Sequence, residues 1–284
     1  MHTSNISQLF HAQKCLLLSL ALAATSNHFV SAALLLSIQL PISLHGKSMA
    51  VNHGMVRDMV RLVQTELSKL RNTENAAKMK RYLKTEMPMY GVQKPARFQV
   101  EKIMHANLIV DSPDMYRQSI ESLWELPHRE EKYLAIDLAL KHRQFIGLET
   151  MDLFETMIRM DYMWWDLCDP ISINVVGQIA LQHDLEPKLR QWIRDDNMWI
   201  RRTAILTQLK HGRDTNSDLL FDSCRERMHE KEFFVRKAIG WALREYSKTD
   251  AEAVVSFLQK EKAKLSGLSY REGAKVLVRQ GRMK

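Results

Sequence analysis

The chain is poor in everything that marks disulfide-knit, metal-bound or strand-built proteins. Its 284 residues include three cysteines, seven prolines and ten glycines. Cys15, Cys168 and Cys224 are odd in number and lack any CxxC spacing. They build neither a disulfide framework nor a zinc or iron–sulfur site, and a reducing compartment is expected. The eleven histidines show no paired metal-ligand spacing. GxxxxGK(S/T), HExxH and a GxGxxG after a strand are all missing, so no metal and no organic cofactor is expected. Alternating β-branched runs, which strands require, are also scarce.

Acidic residues are missing before Asp58, and Lys and Arg are missing between Lys14 and Lys47. The run from Cys15 to Ala24 resembles a signal-peptide core followed by small residues. A second apolar run, from Phe29 to Leu40, ends at Pro41, and each is too short to span a bilayer alone. Residues 1–49 therefore read as an appendage: a targeting segment, an unstructured leader, or sequence upstream of a start near Met49. Amphipathic, charge-rich sequence begins near Val51 and continues without a Pro/Gly/Ser linker, so residues 50–284 read as one domain.

What is present is helix-forming: Met, Leu, Ala, Lys, Arg and Glu are plentiful. Val56, Met59, Val60, Val63 and Leu67 follow the i, i+3, i+4 rhythm of a first helix. Ser112-Pro113 reads as an N-cap with proline at N1, and Thr249–Glu252 and Ser269–Glu272 read as capping boxes. A formal charge of +8 favours a polyanionic partner. Tyr133, Trp165, Trp199 and Phe234 follow one another at offsets of 32, 34 and 35 residues. Each leads into an apolar helix face, a period that predicts an all-α, HEAT-like (ARM-type) helical-repeat solenoid. Its concave face would collect Trp165, Trp199, Arg201, Arg202, Arg236, Lys237 and Arg244, a basic surface suited to a duplex.

Several stretches carry a family resemblance. They are Arg81–Lys84, Tyr90–Pro95, Leu123–Pro127, Trp164-Trp165-Asp166 with Asp169, Asp196–Trp199, Arg202–Leu206 and Lys231–Tyr246. From about Tyr82 to Lys275 the chain resembles the AlkD branch of the DNA alkylation repair glycosylases, and residues 1–49 have no counterpart. The resemblance implies a monomer that excises N3- and N7-alkylated purines from duplex DNA, without a tight base pocket, in a cytoplasmic (nucleoid) or nuclear setting; residues 1–49 leave organelle targeting open. No membrane partner is expected for the domain.

By the same resemblance Asp169 stabilises charge developing at C1′ and orients water, and Trp165 and Trp241 flank the lesion. Guanidinium geometry makes Arg202 and Arg244 the phosphate clamps, and the resemblance favours Arg202; Tyr82 is carried over as a further DNA contact, and Arg201, on the basic face, and Lys94, in the turn before Pro95, are additional candidates. An alkylated base is already cationic and leaves without a general acid. A carboxylate about 4 Å from the developing charge is worth roughly 4 kcal/mol at an effective dielectric near 20, or about three decades in rate. It helps only if it lies closer to C1′ than to the base.

The residues themselves leave alternatives open. Asp169 precedes Pro170, which disfavours the α conformation and makes a plain N-cap a natural reading. Trp164 and Trp165 point about 100° apart on a helix, so Trp165, in phase with Asp169, is the site residue and Trp164 packing. Trp241 and Tyr82 could be core, and Trp199 is taken as structural. Arg202 or Arg244 could pair internally with Asp195, Asp196 or Glu245. A non-catalytic HEAT-repeat scaffold for DNA or protein is the rival function.

Overall fold

The computed structural model describes residues 42–284, with side chains described from His53 onward. The apolar runs of the expected leader lie outside these residues. Asn52–Lys284 packs as one compact unit. Every regular element among the described residues is helical, and none of these helices is long and apolar enough to cross a membrane.

The first helix, α1 (Ile42–Lys69), starts ahead of the expected boundary at 49/50. It buries Val56, Met59, Val63 and Leu67, with Val60 half-buried beside them. Asn72 caps α2 (Thr73–Leu83) through the Asn75 amide, and α2 ends at Lys84 in the left-handed conformation, φ 51°. Pro95 lies in the first turn of α3 (Lys94–Asn107). Ser112 caps α4 (Pro113–Trp124), with Pro113 in its first turn as the sequence predicts. Then come α5 (Arg129–Lys141), α6 (Met151–Arg159) and α7 (Trp165–Pro170). α7 runs through a π turn, Ile171–Val176, into α8 (Gly177–Gln182). The remainder is α9 (Glu186–Trp192), α10 (Met198–Leu206), α11 (Ser217–Glu226), α12 (Phe233–Tyr246), α13 (Ala251–Glu261) and α14 (Gly267–Arg279).

Two caps differ from their sequence signatures. Asp250, not Thr249, caps α13, accepting the Ala253 amide at 2.9 Å; a carboxylate caps at least as well as a hydroxyl. Ser266 caps α14, so Ser269 lies inside the first turn and donates its hydroxyl to the Arg236 carbonyl of α12.

The repeat is written in bonds as well as in aromatics. Arg117 pairs with Asp152, Arg159 with Asp195, Arg190 with Asp222 and Arg225 with Glu261, at separations of 35, 36, 32 and 36 residues. Side chains also reach main-chain carbonyls one repeat away: Gln178 to Arg143, and His211 to Gly177. Such nearest-neighbour contacts define a helical-repeat solenoid. The exposed pairs contribute a few tenths of a kcal/mol each; the apolar cluster running from Val56 to Leu277 supplies the cohesion.

The α2–α3 loop is anchored rather than loose. Glu130 of α5 accepts three main-chain amides, those of Tyr90, Gly91 and Val92, at 3.1, 2.7 and 3.0 Å. Gly91 has φ +82°, and a Cβ there would lie 1.9 Å from the Asn72 carbonyl oxygen. Only glycine fits that turn, which seats the loop against the start of α2.

Candidate active site

Four segments converge on a cleft of about 740 Å³. The end of α2 contributes Tyr82 and Lys84, and the start of α7 contributes Trp164, Trp165 and Asp169. Arg202 comes from α10. α12 adds Phe233, Phe234, Lys237, Trp241 and Arg244. Asp169 is the one acid among the lining side chains.

Local sequence explains α7. Trp164 sits at φ −146° as the cap residue and Trp165 is the first helical residue. Asp169 follows one turn later on the same face. The alternative of Asp169 as an N-cap is corrected: Asp169 lies within the helix, and Pro170 is itself helical at φ −62°, ψ −36°. Proline removes the amide that would bond the Asp166 carbonyl, and the chain continues in the wider π turn. Asn174 Nδ2 donates to the Pro170 carbonyl at 3.1 Å.

Asp169 is held by Arg202. Arg202 Nε donates to Oδ1 at 2.7 Å and Nη2 to Oδ2 at 2.9 Å, while Nη1 donates to the Phe234 carbonyl at 2.5 Å. The two side chains are 4% and 14% exposed. Burial pushes the Asp169 carboxyl up, Arg202 opposes this, Asp166 adds to it, and the balance lies above the ordinary value. Asp166, in turn, takes a bidentate pair from the buried Arg129 and a hydrogen bond from the Tyr133 hydroxyl.

The arginines differ most from expectation. Arg202 is not a free phosphate clamp: its guanidinium is buried and committed to Asp169 and Phe234, and neither Asp195 nor Asp196 is its partner. Arg201 does not line the cleft; it binds Glu230 and the carbonyls of Asp195 and Asp196. Arg244 does line the cleft, paired with Glu272 at 2.5 Å rather than with Glu245. Lys94 is exposed at the start of α3, away from the cleft lining. Arg236 is not a lining residue either.

The aromatics sort by burial. Tyr82 is 74% exposed and meets the Trp165 ring edge-on, centroids 6.1 Å apart. Trp241 is half-buried on the cleft. Trp199 is buried and packs on Trp164 and Phe234, at 5.5 and 5.1 Å, backing the wall rather than forming it. Trp164 also lines the cleft. Sequence reasoning missed Lys84, Phe233 and Phe234 as lining residues. The 35-residue offset of Phe234 from Trp199 carried that signal for one of them.

Aromatic faces around one anion suit a planar cation, each face contributing about 0.5–2 kcal/mol. Lys84, Lys237 and Arg244 suit phosphate. Among the described residues no group of three or more His, Cys, Asp or Glu side chains could hold a metal ion.

Residues 63–277 match the family model described as DNA alkylation repair enzyme. A solved structure described as a predicted DNA alkylation repair enzyme from Enterococcus faecalis is 34% identical to the chain. The similarity covers 73% of this chain and 96% of that one, with a TM-score of 0.67. None of the curated proteins compared matches. The family match contains every element that lines the cleft, and the chain belongs to the DNA alkylation repair enzyme family.

Proposed function

We propose that the protein is a DNA glycosylase that hydrolyses the N-glycosidic bond of N3- and N7-alkylated purines in duplex DNA, acting as a monomer. The observation that carries this reading is a single ionisable carboxylate, Asp169, oriented by Arg202 inside an aromatic cleft with cations on its margins. Lys84, Lys237 and Arg244 on the margin of the cleft are the cations available to the phosphates of such a substrate.

Each step follows from the chemistry of the groups. The alkylated base carries its own positive charge, so the bond to C1′ breaks without a proton donor. Trp165 and Trp241 present π faces to the lesion nucleotide. Asp169 faces the sugar, stabilises the oxocarbenium-like state and accepts a hydrogen bond from the attacking water. The Arg202 pair takes one acceptor site on each Asp169 oxygen and leaves another, so orientation and water-binding coexist. It also reduces the field at C1′ below that of a free carboxylate, so the contribution lies under the roughly 4 kcal/mol of an unpaired anion.

The test is release of 7-methylguanine and 3-methyladenine from methylated duplex DNA by the full chain and by Asp169→Asn. Release above the spontaneous rate, falling by about two decades in the variant, supports the reading. No release, with salt-sensitive DNA binding intact, would overturn it and leave the non-catalytic scaffold.

A further inference from the structure

Lys237, Trp241 and Arg244 stand at i, i+4 and i+7 on α12 and all line the cleft, a spacing that sets them along one helical stripe. The two cations therefore flank Trp241, with their backbones about 10 Å apart along the axis. Both reach the same anion. Glu272 of α14 accepts Arg244 Nη1 on Oε2 at 2.5 Å and lies 3.4 Å from Lys237 Nζ through Oε1.

Glu272 is not itself a lining residue, and its root is fixed. α12 and α14 touch at Gly240, where an added Cβ would meet Glu272 Cβ at 2.5 Å and the Ser269 carbonyl oxygen at 2.8 Å. This close approach sets where the Glu272 side chain starts, within reach of both cations. Burial pushes its carboxyl up, but Lys237, Arg244 and Lys275 together hold it below the ordinary range, so it is an anion at neutral pH.

Glu272 thus places a negative charge against the two cations on either side of Trp241, where a DNA phosphate would be drawn. We propose that Glu272 is a specificity-determining countercharge: it weakens the hold of Lys237 and Arg244 on undamaged backbone, so that filling the aromatic cleft decides which DNA is retained. The inference rests on reading the cleft as a DNA site. In mechanism it is subtractive, a built-in anion lowering the sequence-independent part of binding while leaving the lesion-dependent part intact.

The experiment compares the full chain with Glu272→Gln on two probes: an undamaged duplex oligonucleotide, and the same duplex with one 7-methylguanosine made resistant to cleavage by a 2′-fluoro group. The variant should bind the undamaged duplex roughly tenfold tighter near 0.1 M salt. Its salt slope should steepen by about 0.9 for each cation set free, and its preference for the lesion should shrink. Adding Arg244→Gln should reverse much of the gain. If Glu272→Gln does not fold, Glu272→Asp keeps the charge one methylene further back and should give an intermediate shift. Unchanged affinity and slope at an unchanged Tm would overturn the proposal. So would weaker binding, which would make Glu272 a prop for the cations. A parent protein that binds duplex but releases no base defeats the glycosylase reading while leaving this comparison readable; one that binds no duplex defeats both.

Discussion

The pair between Asp169 and Arg202 joins the cleft's one acid to the backbone of the helix opposite, because the same guanidinium also holds the Phe234 carbonyl. Arg202→Gln therefore strands a buried carboxylate, and chemical denaturation should show a loss of about 3–5 kcal/mol. The raised carboxyl of Asp169 has two consequences. Ionising it costs more in the fold than in the unfolded chain, so this group's penalty is present above its folded pKa and is relieved as pH falls through it. Its contribution to stability thus rises toward acid. Excision, needing the anion, should fall over the same interval, beginning above the pH at which an ordinary Asp protonates. A pH–rate profile checks this, and in Arg202→Gln the acid limb should move further up. The sequence made Asp169 and its aromatic neighbours legible through the Trp-Trp-Asp-x-x-Asp cluster. It did not reveal the partner of Arg202, because that acid lies 33 residues earlier while local reasoning looks to neighbours such as Asp195 and Asp196.

At the scale of elements, one close approach joins α12 to α14 and one buried carboxylate anchors the α2–α3 loop. Gly240→Ala gains about 1 kcal/mol of helix propensity, but its methyl group meets a Cβ and a carbonyl of α14 at 2.5 and 2.8 Å. Overpacking of this kind costs about 1–3 kcal/mol, so urea titration should show a net loss. Glu130→Ala should cost more, about 3 kcal/mol or above, since three main-chain amides lose their acceptor inside the protein. Amide exchange at Tyr90, Gly91 and Val92 should accelerate before the rest of the molecule changes. The phase of α1 was readable from its apolar rhythm, and the start of α4 from Ser112-Pro113. The caps of α13 and α14 were not, because Thr249 and Ser269 each have a competing acceptor, Asp250 or Ser266, a few residues nearer the true start.

At the scale of the whole molecule, the period of aromatic residues was enough to give the stacked architecture. The distribution of charge was not legible from a total of +8, since many arginines are spent internally. The salt slope of duplex binding should accordingly correspond to a few phosphate contacts, fewer than the arginine count implies, at about 0.9 per contact. Most of the inter-repeat pairs share a direction. In Arg117–Asp152, Arg159–Asp195, Arg190–Asp222 and Arg225–Glu261 the cation comes first in the chain and the acid about one repeat later, whereas Lys188 reaches back to Glu155, Arg202 to Asp169 and Arg282 to Glu252. A chain growing from its N-terminus therefore exposes guanidiniums before their acids exist. At these four pairs each nascent stage is more cationic than the finished molecule, and each later repeat neutralises what the one before it left open. C-terminal truncations inherit that excess of positive charge; N-terminal ones inherit unpaired acids.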